Sequence, residues 1–248
     1  MNIIETQYNS YGTLMKIIDY ISSNNIIIEF QDDYKYITRT TYASFISGKV
    51  RNPYDKSAYN VGFVGVGCYS IRNNQRAYQT WRDMLKRCYD PYNMNTSNHS
   101  CYRNCIVCED WFNFQNFAKW YEDNYYVVEN EIMCLDKDIL FKQNNIYSPN
   151  TCLIVPATIN KLFVKQKKSN SNLPIGCYNH DGKIMVTCRL GKNRVYKSGF
   201  NYNQVEEAFE YYKNLKEEYI RKVANDYKDR IPDKVYTALI NYNIEIND

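Results

Sequence analysis

Strand-length apolar runs set the limit on what this chain can build. The longest, NIIIEF at 25–30 and CLIVPA at 152–157, are six residues each, against about 20 for a membrane-spanning helix. Runs this short, divided by Asn, Ser, Pro and Gly, fit small sheets and packed helices. With 248 residues, 44% of them hydrophobic and 23% charged, the chain has enough apolar material for real cores and is not disordered. It accommodates one large domain or two to three small ones. The segment MNIIETQYNS lacks a basic start followed by an apolar core, so no secretion signal is expected and a cytoplasmic protein is.

An α+β, multi-module fold is expected. Residues 1–57 read as a small β-rich, barrel-like module: NIIIEF runs into an acidic turn, and YKYITRTTYASFISGKV continues with β-branched and aromatic residues. RNPYDKSAYN (51–60) has boundary chemistry. VGFVGVG (61–67) lacks the Lys-Ser/Thr ending of a phosphate loop and reads as a bend between strands. In RAYQTWRDMLKRCYD (76–90), Tyr78, Trp81, Leu85 and Cys88 recur at helical spacing, leaving a basic side. EDWFNFQNFAKWYEDNYY (109–126) reads as a second helix whose aromatic stripe is core.

EIMCLDKDIL (131–140) reads as a strand ending near Leu140, KQNNIYSPN (142–150) as a turn, and TCLIV (151–155) as a second strand. Pro156 opens a short helix over ATINKLF. A two-strand ribbon leading into a helix is therefore expected within a region spanning 58–164. KQKKSNSN (165–172) is a basic linker. From 173 to 248 come two or three strands turning at Gly182 and Gly191, then a long helix bearing Phe209, Tyr212, Leu215, Tyr219 and Val223 on one face.

Net charge is only +4, so position matters more than total. Between 161 and 197 stand nine bases, Lys161, Lys165, Lys167, Lys168, Lys183, Arg189, Lys192, Arg194 and Lys197, against one acid, Asp181. The last five alternate along strands with Tyr178 and Tyr196 nearby, so several share a sheet face, and a sheet presenting arginines can enter a DNA groove. Charge alone does not separate DNA from RNA. The 26 tyrosines offer stacking on bases, although an AT-rich coding sequence yields the same excess. Cys105 and Cys108 have C-x-x-C spacing beside Cys101, but no second pair follows at the roughly 12 to 20 residues of common zinc sites. Reduced, buried thiols are expected rather than zinc.

Two segments match known families. LPIGCYNHDGKIMVTCRLGKNRVYKSGFNYNQVEEAFEYY (173–212) resembles the ethylene-response-factor-type (apetala-two-like) DNA-binding domain, through its IG entry, its GK hairpin and GFNYNQVEEA. Tyr202 stands where threonine is usual and Met185 where tryptophan often sits. The resemblance implies a sheet in the major groove, read by Lys183, Arg189, Lys192, Arg194 and Lys197, with Lys165, Lys167 and Lys168 adding basic contacts from the linker.

The ribbon LDKDIL…NN…TCLIVP…IN resembles the HNH (ββα-metal, His-Me finger) endonucleases, and the chain as a whole resembles phage homing-endonuclease-like proteins. That resemblance implies a metal held by Asp136 and Asn160, aided by Asp138, and a loop asparagine at Asn144 or Asn150. The catalytic set would be Asp136, Lys137 and Asn150, with Mg²⁺ or Mn²⁺. Lys137 stands at the family's histidine base. A lysine starts protonated, with a reference pKa near 10.4, and loses the roughly 10²–10⁴-fold that a general base supplies. His99 or His180 would have to enter from elsewhere. The same triplet also reads as Lys137 bridging two aspartates in an ion pair. The implied functions are a weak Mg²⁺-dependent nickase on double-stranded DNA, or a non-catalytic DNA-binding regulator or anti-defence protein acting on a host nuclease, in the host cytoplasm and away from membranes.

Overall fold

The computed structural model describes residues 5–94, 102–163 and 173–246. The fold is mixed α and β, in two compact units: residues 1–124 with 145–149, and residues 125–144 with 150–248. This division cuts across the expected 58–164 region, because the turn of the ribbon, 145–149, is packed with the first unit. The linker lysines Lys165, Lys167 and Lys168, together with His99 and Cys101, lie outside the described residues.

The first unit opens on an antiparallel meander, β1 (Thr6–Tyr8), β2 (Leu14–Ser22), β3 (Asn25–Phe30) and β4 (Ile37–Thr40), in linear order. Period-2 alternation puts Met15, Ile17, Ile26, Ile28 and Phe30 on one face, where Phe45 joins them. Phe45 comes from α1 (Tyr42–Ile46), a helix where β structure is expected from composition. The Thr41 hydroxyl accepts the Ser44 N–H at 3.1 Å and caps it. A capped turn thus wins over the β-propensity of the flanking aromatics. At the β1–β2 connection, buried Asp55 accepts hydrogen bonds from Asn9 Nδ2 at 2.7 Å and Thr13 Oγ1 at 2.6 Å.

α2 (Gln75–Tyr89) buries Ala77, Trp81, Met84, Leu85 and Cys88, as its periodicity predicts. A single turn, α3 (Pro91–Met94), follows. A 3-10 turn at Glu109–Phe112 precedes α4 (Phe114–Asn124), which turns Phe114, Phe117, Ala118 and Tyr121 inward. Trp81 Nε1 donates to the Trp111 carbonyl at 2.7 Å. VGFVGVG is not a bend between strands: it touches the β network only through single bridges, Ala58 to Gly62 and Phe63 to Asn113. Its glycines buy close approach, since a Cβ on Gly62 would stand 2.7 Å from Trp81 Cζ2. β5 (Ile106–Val107) pairs in parallel with β7 (Ile146–Tyr147), a pairing that no periodicity announces.

In the second unit β6 (Met133–Asp136) and β8 (Leu153–Pro156) form the expected antiparallel ribbon, followed by α5 (Ala157–Asn160). β6 ends four residues earlier than expected. β9 (Cys177–His180), β10 (Lys183–Leu190) and β11 (Asn193–Phe200) make an antiparallel sheet in order β11-β10-β9. α6 (Val205–Tyr227) packs on it, and α7 (Asp233–Ile240) follows. Inward on α6 are Ala208, Phe209, Tyr212, Ile220, Val223 and Ala224, with Leu215 and Tyr219 half-buried at the margin. One core cluster runs from Ile139, Val155 and Ile159 of the ribbon and helix to Ile184, Val186 and Phe209 of the sheet and α6. The ribbon and the sheet domain are therefore packed into one body, not tethered modules.

Candidate nucleic-acid interface and ribbon charge cluster

Alternation along β10 divides the sheet. Ile184, Val186 and Cys188 are buried against α6, while Lys183, Met185, Thr187 and Arg189 point the other way. Register carries this across the strands: Arg189 faces Arg194, Thr187 faces Tyr196, Met185 faces Tyr178 and Lys183 faces His180. The outer face thus presents Lys183, Arg189 and Arg194 beside Tyr178, Tyr196 and His180, without a carboxylate on its strands. Lys183, Arg189 and Arg194 are exposed, and so is Lys192 in the β10–β11 turn. Asp181 sits at the opposite turn, 3.8 Å from His180 Nε2.

Lys197 departs from this set. It pairs with Val186 on the helix side of the sheet, and its Nζ lies 4.0 Å from the Tyr211 ring centroid. The family position named it a base reader; simple alternation from Arg194 and Tyr196 places it inward. Thr187 was missed by charge-based reasoning, because it carries none. Its buried hydroxyl has no hydrogen-bond partner among the described residues.

The ribbon cluster is built differently. Asp136 closes β6, and its Oδ1 accepts the N–H groups of Asp138 and Ile139, both at 2.8 Å. That local carboxylate turn is why the strand stops there. Burial pushes the Asp136 carboxyl above its ordinary range, against the lowering effect of the two backbone N–H groups. Lys137 is buried, its Nζ donating to Asp138 Oδ1 at 2.7 Å and to the Asn144 carbonyl at 2.7 Å. Asn144 Nδ2 returns a bond to the Lys137 carbonyl at 2.9 Å. Asn150 is exposed just before β8, and Asn160 is half-buried at the end of α5.

These residues do not fit a magnesium centre. Magnesium keeps several waters and takes hard oxygen donors, whereas Asp136 is buried with one oxygen committed to the backbone. The side chain next to it is a buried ammonium. The donors of Lys137 are spent on acceptors, so it offers water no lone pair as a base would. Lys137 bridges Asp138 and the Asn144 carbonyl, while Asp136 serves the turn; the three charges lock the ribbon. Among the described residues no group of three or more His, Cys, Asp or Glu side chains is placed to hold a metal, and no helix is long and apolar enough to cross a membrane. No family model matches the chain, nor does any curated protein or solved structure.

Proposed function

We propose that this chain is a phage-type, HNH-like DNA-binding protein that grips duplex DNA with the outer face of β9–β11, in the cytoplasm of a host cell, and that its ribbon is a structural remnant with no effective base. The observation that carries this reading is the Arg189–Arg194 pair. Like charges directly opposite on antiparallel strands destabilise a sheet, and among the described residues neither arginine is paired with a carboxylate. A polyanion relieves the repulsion. The β10–β11 ribbon, two strands about 4.8 Å apart, is narrow enough for a major groove about 12 Å wide. Tyr196, exposed on this face, supplies a hydroxyl for phosphate or base edges. Regulation of DNA, or occlusion of DNA from a host nuclease, needs this grip and no chemistry.

The test is fluorescence anisotropy on a labelled duplex across a salt series. The variant Arg189→Ala with Arg194→Ala is expected to weaken binding and flatten the log–log salt slope by about 1.8, the loss of two phosphate contacts. Unchanged affinity and slope would remove the sheet from the interface. Supercoiled plasmid with Mg²⁺ or Mn²⁺ is expected to remain uncut. Nicking that disappears in Asp136→Ala would overturn the non-catalytic part of the reading.

A further inference from the structure

The sheet is not the molecule's only carboxylate-poor basic face. α2 carries four bases, Arg76, Arg82, Lys86 and Arg87, and one acid, Asp83. With Trp81, Met84 and Leu85 buried on the inner side, the spacing 75, 79, 82, 86 brings Gln75, Gln79, Arg82 and Lys86 into one outward stripe, and all four are exposed. The stripe is about 16 Å long. Its N-terminal half carries the amides of Gln75 and Gln79, and its C-terminal half the cations Arg82 and Lys86. Asp83, beside it, is bonded to Gln79 Nε2 at 2.9 Å.

A second, independent feature meets this stripe. Tyr59 and Asn60 both hold positive φ, 52° and 60°, in a tight turn closed by Val61 N–H to the Ala58 carbonyl at 3.2 Å. Two consecutive non-glycine residues in that region are strained, and such strain gathers at ligand clamps. The turn is pressed onto α2 through Gly62, which leaves no room for a Cβ against Trp81 and Leu85. Its tip sets the Tyr59 ring under the Arg82 guanidinium, 5.7 Å from the ring centroid. The strained turn therefore holds Arg82 in place before any partner arrives.

We propose that the α2 stripe, with Arg82 positioned by Tyr59, is a second contact for the phosphate backbone of duplex DNA. Charge complementarity names the occupant: a polar row about 16 Å long ending in two cations suits the phosphates of one strand, which come once per about 3.4 Å of duplex axis. This rests on the reading that the chain binds duplex DNA, but it uses residues of the other unit, so the two fail separately.

The experiment uses the full chain, a labelled duplex and the same salt series. Arg82→Gln with Lys86→Gln is expected to bind roughly tenfold more weakly, with the salt slope reduced by about 1.8, while its circular dichroism stays native. Tyr59→Gly, whose backbone suits the turn better, is expected to weaken binding without lowering Tm; a purely structural role would leave affinity unchanged. If the α2 variants bind like the native chain while the Arg189/Arg194 variant is weakened, this inference is overturned and the sheet interface stands. If the α2 variants weaken binding and the sheet variant does not, the inference stands and the sheet assignment falls. A native chain with no affinity for duplex sinks both.

Discussion

At Asp136 the physical chemistry of one carboxylate separates a structural role from a catalytic one. Its Oδ1 holds two backbone N–H groups, and an asparagine oxygen can accept the same bonds. Asp136→Asn is therefore expected to change stability by less than about 1 kcal/mol at pH 7, while Asp136→Ala, which orphans both donors, costs about 1–3 kcal/mol. The pH dependence has a definite sign. Burial raises the folded Asp136 carboxyl above its unfolded value near 3.9, so the native state binds the proton more tightly. Wild-type stability falls as pH rises from that value through the folded one, then levels off. Urea titrations across that window should show Asp136→Asn gaining on the wild type as pH rises. A gap that widens the other way would mean the charged form is what the fold favours. The triplet Asp136-Lys137-Asp138 was visible in the sequence, but not which partner each charge takes: adjacent residues on a strand point apart, and only the turn after Asp136 brings Lys137 to Asp138 and Asn144.

At the scale of elements, period-2 and period-3.6 patterns were legible wherever an element was long and one-sided. β3, α2, the β9–β10–β11 meander with its turns at Gly182 and Gly191, and α6 all follow from their residues. Short elements held by distant partners were not legible. β5 and β7 are two residues each and exist because they pair with each other; α1 exists because Thr41 caps it. Gly176 is an intermediate case. Its IG step was legible as the entry to β9, while the reason for glycine lies on α6, where the Tyr212 ring would overlap any Cβ, and in its φ of +81°. Gly176→Ala is expected to cost about 1–3 kcal/mol, from left-handed strain and overpacking together, read as a lowered urea midpoint with unchanged m-value. Replacing Tyr212 with Leu in the same background should recover part of the loss, because it removes the ring in the way. An alanine variant as stable as the native chain would show that the ring and backbone yield without cost.

For the whole molecule, the chain crosses between its two units three times, at 124–125, 144–145 and 149–150, which no composition shift in the sequence marks. The ribbon was expected to share one region, 58–164, with the two aromatic helices, yet its strands belong to one unit and its turn, with those helices, to the other. Tyr147, 2% exposed, anchors that turn in the first unit, and burial drives its hydroxyl well above the ordinary tyrosine range. The three tryptophans, Trp81, Trp111 and Trp120, all lie in the first unit, so their emission reports that unit alone, while far-ultraviolet circular dichroism reports both. Separate cores predict separable transitions. Gly176→Ala, confined to the second unit, is expected to move the dichroism midpoint and leave the tryptophan midpoint in place during urea unfolding. If both midpoints move together by the same amount, the two cores unfold as a single cooperative body, and the crossings couple them more strongly than their separate packing implies.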